Sequence, residues 1–186
     1  MNRRRFLQSS LIAAAFAPLA RAESNENPRA AAGFKVGAGT DRYSEEMLLM
    51  GGRFSCKVSS KDSGGDLLIY DTLRQSKGGP ALHRHHFQDE WFYVIRGEFV
   101  VQVGDQTLRL GPGDSAFAPR KIPHAFAMVG ESEGQMLVLF QPAGSMEDFF
   151  AQMARIGPGV PKDQEKLLKK LWADHGMEIV GPPLKI

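Results

Sequence analysis

Cysteine is nearly absent: Cys56 stands alone in 186 residues. No disulfide can form within the chain, and no thiolate metal cluster or Cys-x-x-Cys redox pair is possible. Cys56 itself reads as a small buried apolar residue. No stretch approaches the roughly 20 apolar residues needed to span a bilayer. Net charge is scarce too, at +2, and four arginines of the first 22 residues account for more than all of it. Without that segment, which holds no acidic residue, the charge is −2, and no basic patch is left to hold nucleic acid. No internal repeat is present, which excludes solenoids and propellers. Hydrophobic residues reach 42% and charged residues only 24%, so the chain can build a core and is not disordered throughout. Histidine is rare, with five in all, yet three fall within the four residues His83 to His86.

The segment 1–22 reads as a signal peptide. Arg3-Arg4-Arg5 precedes an apolar run from Leu11 to Leu19, too short to span, and Ala20-Arg21-Ala22 has a small-x-small cleavage pattern. The order Asn2-Arg3-Arg4-Arg5-Phe6-Leu7-Gln8 resembles the twin-arginine export signal. The resemblance implies a bacterial protein exported folded, and therefore periplasmic or secreted, with no stable membrane anchor. Residues 23–40, rich in Ala, Gly and Asn, read as a flexible lead-in.

From residue 41 to 142 short alternating runs are cut by glycine and proline turns, the pattern of an all-β antiparallel barrel or sandwich. Arg96-Gly97 and Gly104-Asp105 are expected hairpin turns, and Pro112-Gly113-Asp114 a further turn. Residues 143–186 read as a helical extension packed on the barrel. Ser145 is placed to cap the first helix with Asp148 as its acidic partner, and Pro158 and Pro161 end it. Asp163 to His175 is a second helix with Leu167, Leu168, Leu171 and Trp172 on one face; Gly176 ends it, and the tail is extended.

The histidines carry the chemistry. Residues two apart on a strand share a face, so His83 and His85 aim together and His86 aims away. Two imidazoles on one face suit a divalent transition metal. Glu90 lies an odd five positions after His85, so it rejoins that face only if the chain bends at 86–89. His124 follows a proline-bounded turn, with Phe126 and Met128 on its face, while Phe92 and Val94 share the face of Glu90. Three imidazoles and a carboxylate could hold one metal and leave positions open. His175, near a helix C-terminus, is assigned no chemistry.

These residues resemble the cupin superfamily. His83-Arg84-His85, four residues, Glu90, six residues, Gly97 fills every fixed position of the first cupin motif. Gly113, five residues, Pro119-Arg120-Lys121, two residues, His124, three residues, Met128 fits the second, with Lys121 replacing a glycine and Met128 an asparagine. The resemblance implies a small antiparallel jelly-roll β-barrel with C-terminal helices. It also implies one divalent transition metal per chain (iron, nickel, manganese, copper, cobalt or zinc) on His83, His85, Glu90 and His124. The QPAGSMEDFF segment and the GPPL ending resemble single-barrel, quercetin-dioxygenase-like cupins. That implies a dioxygenase using O2 on a flavonol or another enolisable or aromatic small molecule. Glu90 would be its catalytic base, and Phe92, Phe117, Phe126 and Met128 its substrate wall. Two other readings stand beside it: a non-catalytic binding protein for a metal or small molecule, and a metal-dependent isomerase or decarboxylase. Cupins commonly dimerise, so a homodimer is the expected assembly.

Overall fold

Alternation decides the strands. In Asp89–Arg96, residues Glu90, Phe92 and Val94 are buried while Trp91 and Tyr93 are not, and Gly134–Gln141 repeats the pattern with Met136, Val138 and Phe140 inward. One face of each strand therefore meets the core. In the computed structural model, which describes residues 28–45, 47–157 and 165–186, eleven strands and two helices follow from such patterns. In chain order they are β1 Met47–Leu49, β2 Gly52–Val58, β3 Leu68–Arg74, β4 Ala81–His85, β5 Asp89–Arg96, β6 Phe99–Val103, β7 Gln106–Leu110, β8 Ser115–Ala118, β9 His124–Met128, β10 Gly134–Gln141, α1 Met146–Ile156, α2 Glu165–Asp174 and β11 Met177–Pro183.

One sheet has the order β1-β2-β3-β10-β5-β8 and the other β11-β4-β9-β6-β7, with antiparallel pairing throughout. This is the expected jelly-roll barrel. Its core runs from Leu68, Tyr70, Phe92 and Phe140 of the first sheet to Phe99, Val101 and Phe126 of the second. No helix among the described residues is long and apolar enough to cross a membrane.

The turns divide. Gly104-Asp105 joins β6 to β7 as a two-residue hairpin, with Gly104 at φ 56 where a II′ turn needs a positive angle. Arg96-Gly97 is not a hairpin turn, because β5 and β6 lie in different sheets and never pair. Gly97 instead crosses between sheets at φ 81, and a Cβ there would sit 2.7 Å from the Gly134 backbone.

The extension after residue 142 is not wholly helical. β11 pairs with β4, Met177 opposite His85 and Ile179 opposite His83, so it is a strand of the barrel. Ser145 precedes α1 but makes no cap bond to it. Its hydroxyl lies 2.9 Å from His175 Nδ1 instead, tying the start of α1 to the end of α2. Glu147 does the anchoring in the first turn, accepting bonds from Ser59 Oγ (2.8 Å) and the Ser60 N–H (3.0 Å).

The lead-in is strapped to the barrel over its described part. Lys57 Nζ donates to Thr40 O at 2.6 Å, and Arg42 stacks 4.0 Å over the Phe34 ring while donating twice to Asp62. The expected signal peptide lies outside the described residues, as does Asp163 of the second helix.

Candidate metal centre

β4 carries His83 and His85 inward, 6% and 1% exposed, and leaves His86 half-exposed beside Glu178. The chain then leaves the strand at 86–88 and re-enters as β5, which corrects the odd spacing and returns Glu90 to the interior at 4% exposure. β9 opens on His124, fully buried and paired in register with His83. A short clamp sets the meeting of these strands: the Lys121 N–H donates to His85 O at 2.6 Å. To do so Lys121 adopts φ 70, the left-handed angle that the motif's glycine would take without strain.

The four side chains converge. One donor atom from each of His83, His85, Glu90 and His124 lies within 4.8 Å of the others. Glu90 Oε2 is 2.8 Å from His124 Nε2, 3.3 Å from His85 Nε2 and 3.9 Å from His83 Nε2. His83 and His124 each place Nδ1 against a backbone carbonyl, Ala81 O at 2.8 Å and Ile122 O at 2.9 Å. That fixes Nδ1 as a protonated nitrogen in both and turns Nε2 toward the common point, as ligating histidines require; in the metal-free site His124 Nε2 donates to Glu90 Oε2. His85 is buried with neither ring nitrogen hydrogen-bonded. A buried imidazole without a partner is expensive in water-free surroundings, and a metal ion removes that cost. The donor set fits a divalent transition metal.

Charge follows the same logic. Burial pushes His83 down to about 3, with His124 and His85 adding to the effect, so it presents a neutral nitrogen. Burial pushes Glu90 upward, but the hydrogen bond from His124 and the nearness of His85 Nε2 at 3.3 Å outweigh it and hold the carboxyl well below its usual range. Burial opposes the charge on His124 as well, and its bond to Glu90 reverses the balance and raises it.

Above this cluster lies a cavity roofed by the C-terminal helices. Met146, Phe149 and Phe150 of α1 and Trp172 of α2 close it; Phe54, Phe126, Val138 and Phe140 form its walls. The Trp172 ring stands 5.1 Å from His83, edge to face. The volume open to the centre of a water-sized sphere is about 30 Å3, against roughly 10–15 Å3 for one water. With the side chains in these positions a flavonol does not fit.

The aromatic residues expected to form a substrate wall separate. Phe126 lines the cavity. Phe92 packs behind it, 6.3 Å from His124, and Met128 lies deeper in the core at 2% exposure. Phe117 is not in the wall: its side chain points outward from β8 and is 55% exposed, because its neighbours Ala116 and Ala118 face Phe92 and Glu90 across β5. The roof was not read from the sequence as part of a site. The apolar face of α2 was its only signal, and that face reads equally well as plain covering.

Comparisons with known proteins agree with this geometry. Residues 72–140 match the Cupin_2 family, described as a cupin domain. An uncharacterized protein of Methanocaldococcus jannaschii is 27% identical over 67 residues, 36% of this chain and 54% of that one. An uncharacterized protein of Streptomyces coelicolor is 29% identical over 68 residues, 37% of this chain and 64% of that one. The chain thus spans little more than half to under two thirds of these relatives. An RmlC-like cupin from Shewanella frigidimarina superposes with a TM-score of 0.50 at 27% identity, covering 62% of this chain and 94% of that one. The match and the shared fold support the cupin superfamily.

Proposed function

We propose that this cupin-type barrel is a metal-dependent oxygenase acting on a small enolisable or hydroxylated aromatic molecule. One observation supports it most: His83, His85 and Glu90, with the buried His124 converging on them from behind, form the floor of a cavity whose other walls are apolar. A divalent metal held by His83, His85, Glu90 and His124 would supply Lewis acidity toward an enol oxygen and redox contact with O2. Glu90, the one carboxylate lining the cavity among the described residues, is held ionised by His124 and the nearby His85 and can accept the enol proton. Phe126, Phe140 and Phe149 keep water from the reacting face and grip a flat substrate. The cavity as it stands holds about two waters, so any substrate must displace wall or roof side chains, and a compact enolisable compound displaces fewer of them than a flavonol. The reading includes export to a bacterial periplasm, which rests on the first 22 residues alone.

The test is oxygen uptake by protein loaded with Fe2+, Ni2+, Mn2+, Cu2+ or Co2+ in turn, given quercetin or 2,4-pentanedione. Uptake with the dione that vanishes in His124→Ala, and largely in Glu90→Gln, is expected. No uptake with any metal would replace this reading with that of a binding protein.

A further inference from the structure

Arg74 ends β3 and is 2% exposed. Arginine stays charged in proteins, and a buried charge is normally paired with an opposite one. Arg74 has no such partner: no carboxylate among the described residues lies within ion-pair distance of it. Its Nη2 donates to Met50 O at 2.5 Å, while Nε and Nη1 are buried and make no hydrogen bond. One backbone carbonyl uses one of five donors. Burial alone lowers its pKa, with nothing opposing the shift.

The place of this cation matters. Its guanidinium lies 5.6 Å from the centre of the Phe126 ring. Phe126 and Met50 both line the metal cavity. A second unpaired donor points to the same need: Trp172 in the roof has its indole N–H buried without a partner. Arg74 does not itself line the cavity but lies just behind Phe126 and Met50, so a cation and an unpaired donor stand at its wall, while the one carboxylate lining it among the described residues, Glu90, is hydrogen-bonded to His124. An occupant that satisfies the cation and the donor brings oxygen acceptors and a negative charge.

We propose that Arg74 is the carboxylate-recognition residue of this site, and that the substrate is a small organic acid with an enolisable carbonyl at one end and a carboxylate at the other. The inference rests on the metal-site reading above and sharpens it. Phe126 links the two ends of the site: it lies two positions after His124 on β9, and its ring is 5.6 Å from the Arg74 guanidinium. Met50 meets both parts, its carbonyl accepting from Arg74 while the residue lines the cavity, and its unbranched thioether repacks at low cost.

The experiment uses the full chain loaded with zinc, which carries no redox chemistry, and calorimetric titration with 4,6-dioxoheptanoate and with its methyl ester. The two probes share the dione end and differ only in charge. The acid is expected to bind tighter than the ester by on the order of tenfold, as a charge-assisted bidentate bond provides. In Arg74→Met the acid should weaken to the level of the ester while the ester is unchanged, and Arg74→Lys should keep part of the preference. The metal-free Arg74→Met protein should melt no lower than wild type, because it loses an unpaired buried cation. Equal affinity for acid and ester in wild type, an acid preference that survives in Arg74→Met, or a Met variant that no longer folds would overturn the proposal. Acid binding through Arg74 without oxygen uptake would overturn the oxygenase reading alone. Uptake with acid and ester bound equally would overturn the role of Arg74 alone.

Discussion

Loading the site with Zn2+ should raise the melting temperature, and His124→Ala should nearly abolish the rise. In the free protein Glu90 Oε2 and His124 Nε2 lie 2.8 Å apart and His85 is unpartnered. The unfolded chain cannot assemble four donors from β4, β5 and β9, so the ion binds the native state selectively. At a free zinc concentration 100-fold above the dissociation constant, the linkage gain is about 2.7 kcal/mol. For a domain of this size each kcal/mol moves the midpoint by roughly 2–4 °C, giving a shift of roughly 5–11 °C. Removing one of four ligands weakens binding by on the order of 100-fold, the upper end of what loss of a supporting partner costs. The gain then falls to about 0.4 kcal/mol, a shift of roughly 1–2 °C at the same zinc concentration. Differential scanning fluorimetry with and without chelator reads both numbers. An equal shift in wild type and His124→Ala would place the zinc elsewhere and refute the four-ligand centre.

Cu2+ at the same site should quench Trp172, whose ring is 5.1 Å from His83. Trp91→Phe protein should then lose nearly all its emission on copper binding, and Trp172→Phe protein should keep its own; the reverse pattern would move the metal away from α2. Lys121→Gly should stabilise the protein in urea by about 0.5–1 kcal/mol, the left-handed strain at φ 70 less the added freedom of glycine in the unfolded chain. Lys121→Ala should show no gain, and a gain there would mean that the backbone angle is not the cause. Burial, then Glu147, Asp41 and Asp62, push the Cys56 thiol up to about 12. It should resist iodoacetamide at pH 8 in the native state. Since the folded value lies above the unfolded one of about 8.5, stability falls as pH rises from there toward 12. Wild type should therefore lose more stability than Cys56→Ala over that window, and parallel profiles would contradict the burial argument.

The four residues of the candidate metal centre were legible because each signal was local. The parity of His83 and His85, the break before Glu90, and the turn before His124 are all written within a few residues. What escaped depended on partners far along the chain. Ser145 has the composition of a cap, but His175, thirty residues on, takes its hydroxyl. Arg96-Gly97 has the composition of a hairpin, and nothing nearby says that β5 and β6 belong to different sheets. Phe117 looks like core by hydrophobicity, yet the space opposite Glu90 and Phe92 admits only the methyl groups of Ala118 and Ala116. Arg74 reads as an ordinary strand-end charge until the fold buries it.

The pairing of β11 with β4 also sets an order of events. β4 holds two of the four candidate ligands and touches β9 in register only at His83 and His124. Its other edge is closed by Met177 to Ile179, which emerge from the ribosome about ninety residues after His85. Trp172, the roof over His83, precedes that strand by only a few residues. Until this late segment is made, β4 is a bare edge and its histidines face water. The closed candidate centre is therefore among the last things the chain can build, and an ion arriving earlier would meet a half-open set of donors that could still exchange it.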